Sequence, residues 1–407
     1  MLFCMPIGLV ITVGRFLDEK KLDRWIYWLL IVMGLSVCVS EPMCRHTFKL
    51  VFFLFLIKIW KEPRCLKKLG KIKYMLISMV AFVLMQIIEA YWGGHFYDII
   101  TAYDFIFNYN MLLIPIILVC VNDKRRAENI LTAVGISLLV LDGYVILQSY
   151  QGVIRPIPLM KSTIISLCVF YTVLLPAFVI LAAKETQIIW RRNLYVIIAV
   201  ITAIAAFFAN TRALWVALAF VLLIAVSYLF RQERKKMVGL LGVTLVFLGT
   251  VCYTHPQFAD RISSIGDPET HSFKERRLMW KSAFDMFMDY PVLGVGTGNY
   301  AYFYQNVYIL PEAKETWANH AHSTYFQLLG ENGIVGFCTY MAMILSVGAL
   351  SWQYRRNPYG IMLLMSLLAY SVYVTTESTF SEYGAMRLFW LYIGLCASQL
   401  IGQESDI

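Results

Sequence analysis

The sequence predicts an all-α fold, a bundle of helices that crosses a membrane many times. Of the 407 residues, 59% are hydrophobic and 15% are charged, and the mean hydropathy is +0.64. A soluble domain contains only roughly 45–50% apolar residues. About a dozen apolar runs reach the roughly 20 residues that cross a bilayer, including 24–40, 73–92, 127–149, 162–183, 193–209, 213–230, 334–352 and 385–401. These runs are helical, because strands of a membrane barrel would alternate apolar and polar residues.

Three further runs leave the number of spans open. Run 1–17 is apolar, but its basic residues follow it instead of preceding it, so we interpret it as a span or part of one and not as a cleaved signal peptide. Runs 47–60 and 105–121 are short or polar for a full crossing. We therefore predict about 12 to 13 transmembrane helices. They form one membrane domain, residues 1–407, and the side on which the N-terminus lies stays open.

The charged residues predict the orientation of the bundle. Basic clusters occupy alternate loops, and the positive-inside rule makes these loops cytoplasmic. They are Lys20, Lys21 and Arg24; Lys61 to Lys73; Lys124, Arg125 and Arg126; Lys184, Arg191 and Arg192; Arg231, Arg234, Lys235 and Lys236; and Arg355 and Arg356. The remaining loops face outward, near 41–48, 94–104, 150–161, 210–212, 254–332 and 377–384. Topology thus explains the net charge of +9, and no nucleic-acid partner is expected.

The cysteines indicate neither disulfides nor a zinc site. Nine cysteines are scattered along the chain, mostly within apolar runs, and none lies between residues 254 and 337. Their spacing matches no disulfide framework and no zinc-binding pattern.

Residues 254–332 form the one long outer segment, and polar residues concentrate there. We expect it to lack a hydrophobic core of its own and to fold back on the outer mouth of the bundle. Ser272 and Glu275 form a capping box, and apolar residues at helical spacing follow until Pro291, which predicts a helix from about 273 to 289. Arg276 and Arg277 lie one turn before Trp280. Either guanidinium could enter a cavity at the depth of the headgroups, or both could simply snorkel to the interface.

Glycines 294, 296 and 298 follow this helix in "LGVGTGNY". A dinucleotide motif would need a strand before it and a helix opening after it, whereas here an amphipathic helix precedes it. The glycines therefore predict a tight turn.

The stretch "NHAHSTYFQLLGENGIVG" predicts a short helix beside the membrane. Thr324 and Gln327 form a capping box, so the helix begins after His322 and Ser323 and stops at Gly333, where the next membrane helix starts. The positive end of the helix dipole disfavours the imidazolium form of His322 and favours a neutral ring that can accept a proton. His320 could share this role. The alternative is a histidine that only bridges headgroups and loop.

A third element, "FFANTRALWVAL", places Arg212 in the first turn of a helix at the outer boundary. Asn210 and Thr211 offer caps between two apolar runs. Backbone donors, helix dipole and guanidinium then converge at one point, which is how proteins hold phosphate. The alternative is an arginine anchored among lipid headgroups.

Together these residues resemble the O-antigen ligase and polymerase superfamily of bacterial envelope glycosyltransferases. That family carries His followed by Asn, Ser or Gln, then nine residues, then Gly-x-x-Gly, which fits His322, Ser323, Gly333 and Gly336 here. The stretch "RRLMWKSAFDMFMDYPVLGVGTGNY" is similar to the family's Arg-x-x-x-Trp helix followed by Pro-x-x-Gly-x-Gly, and "NTRALW" is similar to its short periplasmic turn. One departure is Val216, where ligases often have Leu.

The resemblance implies a GT-C-like enzyme of the cell inner membrane, with one long helical periplasmic loop and a periplasmic active site. It implies inverting, metal-independent transfer of a glycan from undecaprenyl diphosphate to an acceptor glycolipid or glycan. Arg212 and Arg276 match the arginines that would bind diphosphate, and His322 matches the histidine that would activate the acceptor. Candidate substrate-binding residues around them are Arg277, Trp280, His320, Ser323 and Glu377.

The residues themselves agree with this chemistry. The acidic residues of the outer segment are dispersed, with no Asp-x-Asp pair that would cage a metal, so arginines must neutralise the diphosphate and we expect no metal and no other cofactor. Glu377 could orient an arginine or the acceptor. Asp142 lies within a span, and we interpret it as a residue whose carboxyl hydrogen-bonds to a neighbouring helix.

Four functions remain open. An O-antigen ligase that transfers a finished glycan to lipid A-core is the leading interpretation. A polymerase of O-antigen or exopolysaccharide and a protein O-oligosaccharyltransferase would use the same donor. A flippase or transporter of lipid-linked sugar belongs to another class, and it should place charges along a pathway at the midplane of the membrane instead of in outer loops.

Overall fold

The computed structural model describes residues 18–94, 111–121, 123–159, 163–184, 188–229, 253–379 and 382–402, together with positions 242, 246 and 249–251. Within these residues the regular elements are helices, and no strand occurs among them. The predicted all-α membrane bundle is therefore confirmed.

The chain order of the α-helices is α1 (Glu19–Ser36), α2 (Glu41–Lys61), α3 (Lys73–Trp92), α4 (Leu113–Cys120), α5 (Lys124–Tyr150), α6 (Ile164–Lys184), α7 (Ile189–Phe208), α8 (Arg212–Leu229), α9 (Pro256–Ser263), α10 (His271–Asp289), α11 (Tyr300–Phe303), α12 (Thr324–Gln353), α13 (Pro358–Tyr373) and α14 (Tyr383–Gly402).

Seven helices in the described part of the chain are long and apolar enough to cross a membrane. They are α5, α6, α7, α8, α12, α14, and α3 together with the 3₁₀ segment Pro63–Ile72 that precedes it. Helix α13 is apolar but shorter. The number of about 12 to 13 spans stays a prediction, because run 1–17 and most of 105–121 lie outside the described residues.

The core of the bundle is built on α6 and α14, whose side chains are almost all buried. Helix α6 packs against α7, α8 and α13, while α14 packs against α4 and α13. At one edge α1 packs on α2 and α5, and at another α3 packs on α12. The outer faces of α3, α7 and α8 remain apolar and exposed, as expected of helices that face lipid.

The loops gather at two opposite ends, as the charge pattern predicts. At the basic end, Arg191 in the first turn of α7 binds Glu128 at the start of α5 at 2.5 Å, and the hydroxyl of Tyr359 in α13 contacts the same carboxylate. At the other end, Asn210 donates to the carbonyl of Ile154, and Arg387 binds Glu41 at 3.1 Å. These contacts bring the predicted outer loops together at one end of the bundle.

The outer segment has a small hydrophobic core of its own, and the expectation that it lacks one is wrong. Met279, Ala283 and Met286 of α10 pack against Tyr300 and Tyr304, with Val295, Ala318 and Ala321 completing the cluster. These residues are separated along the chain by turns, so they form no apolar run. The core fixes α10 against the loops that follow it.

Neither of the two predicted capping boxes forms. Helix α10 begins two residues earlier than expected, after Thr270, and the carboxylate of Glu275 instead accepts from the backbone N–H groups of Lys314 and Glu315. Helix α12 is capped by Ser323, whose hydroxyl accepts from Phe326 N. Glu275 thereby fastens a distant loop to α10, a role that depends on tertiary packing.

Helix α12 breaks at Gly333, where the short helix was predicted to stop. Gly333 has φ 59° and ψ −162°, a conformation open to glycine alone. The Pro-x-x-Gly-x-Gly turn lies against this break: Ile334 N donates to Pro291 O, while Val295 N and Gly296 N donate to the carbonyls of residues 330 and 331. The turn thus supplies partners for backbone groups that the interrupted helix leaves free.

Candidate active site

Three candidate side chains from separate segments, Arg276, His322 and Glu377, meet at the end of the bundle where the loops predicted to face outward gather. Nη2 of Arg276 lies 2.5 Å from Oε1 of Glu377, and Nδ1 of His322 lies 3.3 Å from the other carboxylate oxygen. Nη1 of Arg276 also donates to the carbonyl of Thr376 at 2.6 Å. Glu377 is 6% exposed and therefore bridges the arginine and the histidine from a buried position.

The local backbone holds His322 at the start of α12. His322 has φ 48°, a left-handed conformation that non-glycine residues seldom adopt. Its carbonyl accepts from Trp280 Nε1 at 3.4 Å, and Trp280 stacks on Phe326. The next residues are buried, with Ser323 as the N-cap. Such strain persists where surrounding contacts enforce it, and it is common at functional sites.

Thr324 attaches the loop that carries Glu377 to the same helix start. Its backbone N–H donates to the carbonyls of Val374 and Glu377, and its hydroxyl donates to Glu377 O at 3.2 Å. Thr379 N donates back to that hydroxyl. The distance between His322 and Glu377 is therefore set by backbone contacts as well as by the side chains.

The electrostatics of the site favour an ionised Glu377. Burial alone would raise the pKa of this carboxyl, but the hydrogen bond with His322 and the charge of Arg276 outweigh it and lower the pKa below its ordinary value. His320 stacks beside His322 with ring centroids 4.3 Å apart. Burial, together with the neighbouring His322, lowers the pKa of His320 to about 4, so this ring is neutral.

Arg212 lies at the turn between α7 and α8, as the sequence predicts. Asn210 in this turn has φ 50°, and with His322 it is one of two non-glycine residues of positive φ in the described part of the chain. Nη1 of Arg212 donates to Ser264 O at 2.9 Å and lies 3.5 Å from the hydroxyl of Thr270. Thr270 precedes α10, the helix that carries Arg276, so Arg212 contacts the start of that helix, and the charge of Arg276 acts on it.

Two further arginines belong to this region, and the sequence reasoning missed them. Burial lowers the pKa of Arg261 to about 10, with contributions from the like charges of Arg155, Arg212 and Arg276. Nε of Arg261 is buried without a hydrogen-bond partner. The like charges of these four arginines act on one another, so this end of the bundle has a positive potential. The available signal was that Arg155 and Arg261 are basic residues in loops predicted to face outward, against the usual charge bias.

The remaining predicted residues divide between the site and its surroundings. Arg277 is exposed on α10, whereas Arg276 contacts Glu377, so the structure points Arg276 and not its neighbour at the site. Asp142 is buried within the bundle and accepts from Thr202 at 2.6 Å, a bond between α5 and α7. That geometry agrees with its interpretation as a helix-to-helix contact.

This arrangement defines a multi-pass membrane protein with a cluster of arginines and a histidine paired with a buried carboxylate at one end of its helix bundle. Residues 197–341 match the family model described as O-antigen ligase. The match covers the Arg212 turn, α10 and the first part of α12, and it confirms the resemblance to the O-antigen ligase and polymerase superfamily. No curated protein matches the chain. The family match supports a ligase-like or polymerase-like enzyme in general terms.

Proposed function

We propose that this protein is an O-antigen ligase-like glycosyltransferase. It transfers a glycan from undecaprenyl diphosphate to an acceptor sugar, such as that of lipid A-core, on the periplasmic face of the inner membrane. The single observation that carries the proposal is the bridge from Arg276 through Glu377 to His322 beside the arginine cluster. It combines a binding region for a diphosphate leaving group with a base for the acceptor hydroxyl.

The arginines act on the donor. Arg276 uses N–H groups of its two Nη atoms on Thr376 and Glu377, and a guanidinium has five N–H donors, so further donors remain for phosphate oxygens. Arg212 and Arg261 add positive charge at the same end of α10. As the bond between the anomeric carbon and the phosphate oxygen breaks, negative charge grows on the diphosphate, and these groups stabilise it.

His322 acts on the acceptor. With Nδ1 protonated and facing Glu377, Nε2 is the free acceptor atom of the neutral ring. Nε2 takes the proton as the acceptor oxygen forms its bond to the anomeric carbon, and the diphosphate leaves from the opposite side with the bonding electrons. A single displacement of this kind inverts the configuration at that carbon. The ionised Glu377 stabilises the imidazolium that results.

The proposal is tested by comparing two adjacent arginines in transfer assays with a lipid-linked donor. Arg276→Ala should abolish measurable transfer, because it removes both the diphosphate contact and the partner of Glu377. Arg277→Ala makes the same chemical change on the exposed side and should reduce transfer by less than about fivefold, as expected of a charge near the surface. Equal losses in the two variants, or full activity of Arg276→Ala, would contradict the proposal.

A deletion strain distinguishes the two enzymes that share this donor. Loss of all long glycan chains from lipopolysaccharide, with polymer accumulating on the lipid carrier, identifies a ligase. Products that carry a single repeat identify a polymerase.

A further inference from the structure

The 3₁₀ segment Pro63–Ile72 joins α2 to α3 at the end of the bundle opposite to the candidate site. Lys71 Nζ donates to the carbonyl of Ile401 at the end of α14, whereas the start of α14 follows the loop that carries Glu377. Helix α14 has 20 residues and is therefore about 30 Å long. The segment is thus separated from the site by about the thickness of the hydrocarbon core.

This segment has one apolar side and two basic sides. In a 3₁₀ helix, side chains three residues apart lie on the same side. Leu66, Leu69 and Ile72 form the apolar row and pack against the core of the bundle. The other two rows carry exposed basic side chains, which we call the basic ridge: Arg64, Lys67, Lys68 and Lys71. Since the segment packs on α2, α3 and α4 through its apolar side, the ridge is held facing away from the core.

The ridge has little acidic charge beside it. Residues 61–73 contain six basic residues and one acidic residue. That acid, Glu62, lies 3.7 Å from a lysine of α2. Within the described ranges of the chain, Arg64, Lys67 and Lys68 form no ion pair. The positive charge of the ridge is therefore available to an anion from outside the chain.

Aromatic side chains place the ridge at the depth of lipid headgroups. Trp60 at the end of α2 and Tyr74 at the start of α3 flank the segment and are 52% and 73% exposed. Both residue types are enriched at membrane interfaces. Exposed apolar residues follow directly on α3, beginning with Ile77 and Val80. Clusters of about four to eight Lys and Arg residues beside a membrane helix attract anionic lipids.

We propose that the basic ridge binds the phosphate groups of anionic phospholipids such as phosphatidylglycerol. The guanidinium of Arg64 matches phosphate oxygens with two N–H groups, and each lysine adds a point charge. The acyl chains of the same lipid lie beside the exposed apolar face of α3. A nucleic acid fits less well, because it has no use for the apolar surface into which the ridge continues. Because the ridge lies far from the arginine cluster, this binding does not depend on the proposed transfer reaction.

Photolabelling of the full-length protein in phosphatidylcholine nanodiscs tests the proposal. The probe is phosphatidylglycerol with a diazirine in its headgroup, and it should label peptides within residues 61–74. The triple variant Arg64→Gln, Lys67→Gln, Lys68→Gln should lose this labelling by at least about tenfold, because each basic residue near an anionic surface strengthens binding roughly fivefold. Unlabelled phosphatidylglycerol should compete with the probe, whereas phosphatidylcholine and inorganic phosphate at constant ionic strength should not.

The matched control is the triple variant Arg192→Gln, Arg355→Gln, Arg356→Gln. It removes the same charge from exposed positions at the same end of the bundle and should keep the labelling of residues 61–74 within about twofold of wild type. Unchanged labelling of the ridge variant, an equal loss in the control or full competition by phosphatidylcholine would overturn the proposal. Full competition by inorganic phosphate would overturn it too, since the ridge would then bind a free anion and not a lipid.

Discussion

Glu377→Gln tests the central interaction of the site. The substitution keeps the size of a buried side chain and removes the negative charge that lies between Arg276 and His322. Its main effect should appear when His322 takes the proton of the acceptor, because the imidazolium then loses its counter-charge. We expect kcat to fall, with a smaller rise of KM for the donor as Arg276 loses its partner.

The magnitude follows from the distance between the two groups. Nδ1 of His322 lies 3.3 Å from Oε2 of Glu377, and Coulomb's law with an effective dielectric constant of about 20 gives about 5 kcal/mol at this separation. The side chain of His322 is 28% exposed, so solvent screening reduces this, and we take about half. A loss of about 2.5 kcal/mol in the transition state lowers kcat by roughly 50-fold to 100-fold.

Glu382→Gln is the matched control. Glu382 follows in the same outer loop, is also 6% exposed, and accepts hydrogen bonds from Thr163 and Ser166 instead of from the site. Both variants would be purified in detergent and assayed with lipid-linked donor, with thermal unfolding measured in parallel. A Glu377→Gln enzyme within about threefold of wild type, or an equal loss of kcat in the control, would refute the assigned role of the carboxylate.

Three more predictions concern the arginine cluster, the helix break and pH. Arg261→Ala should raise KM for the lipid diphosphate donor by about tenfold with little change in kcat, because the arginine attracts the bound donor and the transition state equally. A titration with donor in which KM stays constant would contradict this prediction. Gly333→Ala should destabilise the fold by about 2–4 kcal/mol, because its Cβ would lie 2.5 Å from the backbone of Val292 at φ +59°, whereas Gly348→Ala in the same helix meets only an ordinary contact at 3.6 Å. A similar drop in melting temperature for both variants would exclude this explanation. The lowered pKa of Glu377 means that its contribution to stability is present above its unfolded value, near 4.5, and is lost as pH falls through the folded pKa. The difference in melting temperature between wild type and Glu377→Gln should therefore be constant from about pH 7 to pH 5 and shrink below that range, and a difference that shrinks already near neutral pH would contradict it.

Local signals predicted several elements of the site. The row of apolar residues after Ser272 predicted α10 to within two residues at its start and to its last residue. Gly333 was predicted to end the first part of α12, and the structure places the break there. In each case the signal lies within a few residues of the feature, because helical periodicity and glycine conformations depend on near neighbours.

Other elements could not be predicted from neighbouring residues. Glu275 looked like a capping residue, yet it binds the backbone at Lys314 and Glu315. The core of the outer segment draws on Met279, Tyr300 and Ala321, which no single periodic run contains. Arg261 joins the cluster because α9 packs near the Arg212 turn, where Phe258 contacts Phe207. Its position in a loop predicted to face outward indicates an unusual basic residue, but it does not indicate which residues lie around it.

The sequence by itself determined three things: that this protein is a helical membrane bundle, which of its loops share an end, and which motifs contain a candidate arginine or histidine of the site. Hydropathy, charge bias and helix capping are properties of adjacent residues, so they can be read along the chain. Only the tertiary structure decided that Arg276 and not Arg277 meets Glu377, and that the same carboxylate reaches His322. These side chains come from segments up to about a hundred residues apart, and whether they converge depends on how helices pack and tilt, which no local pattern records.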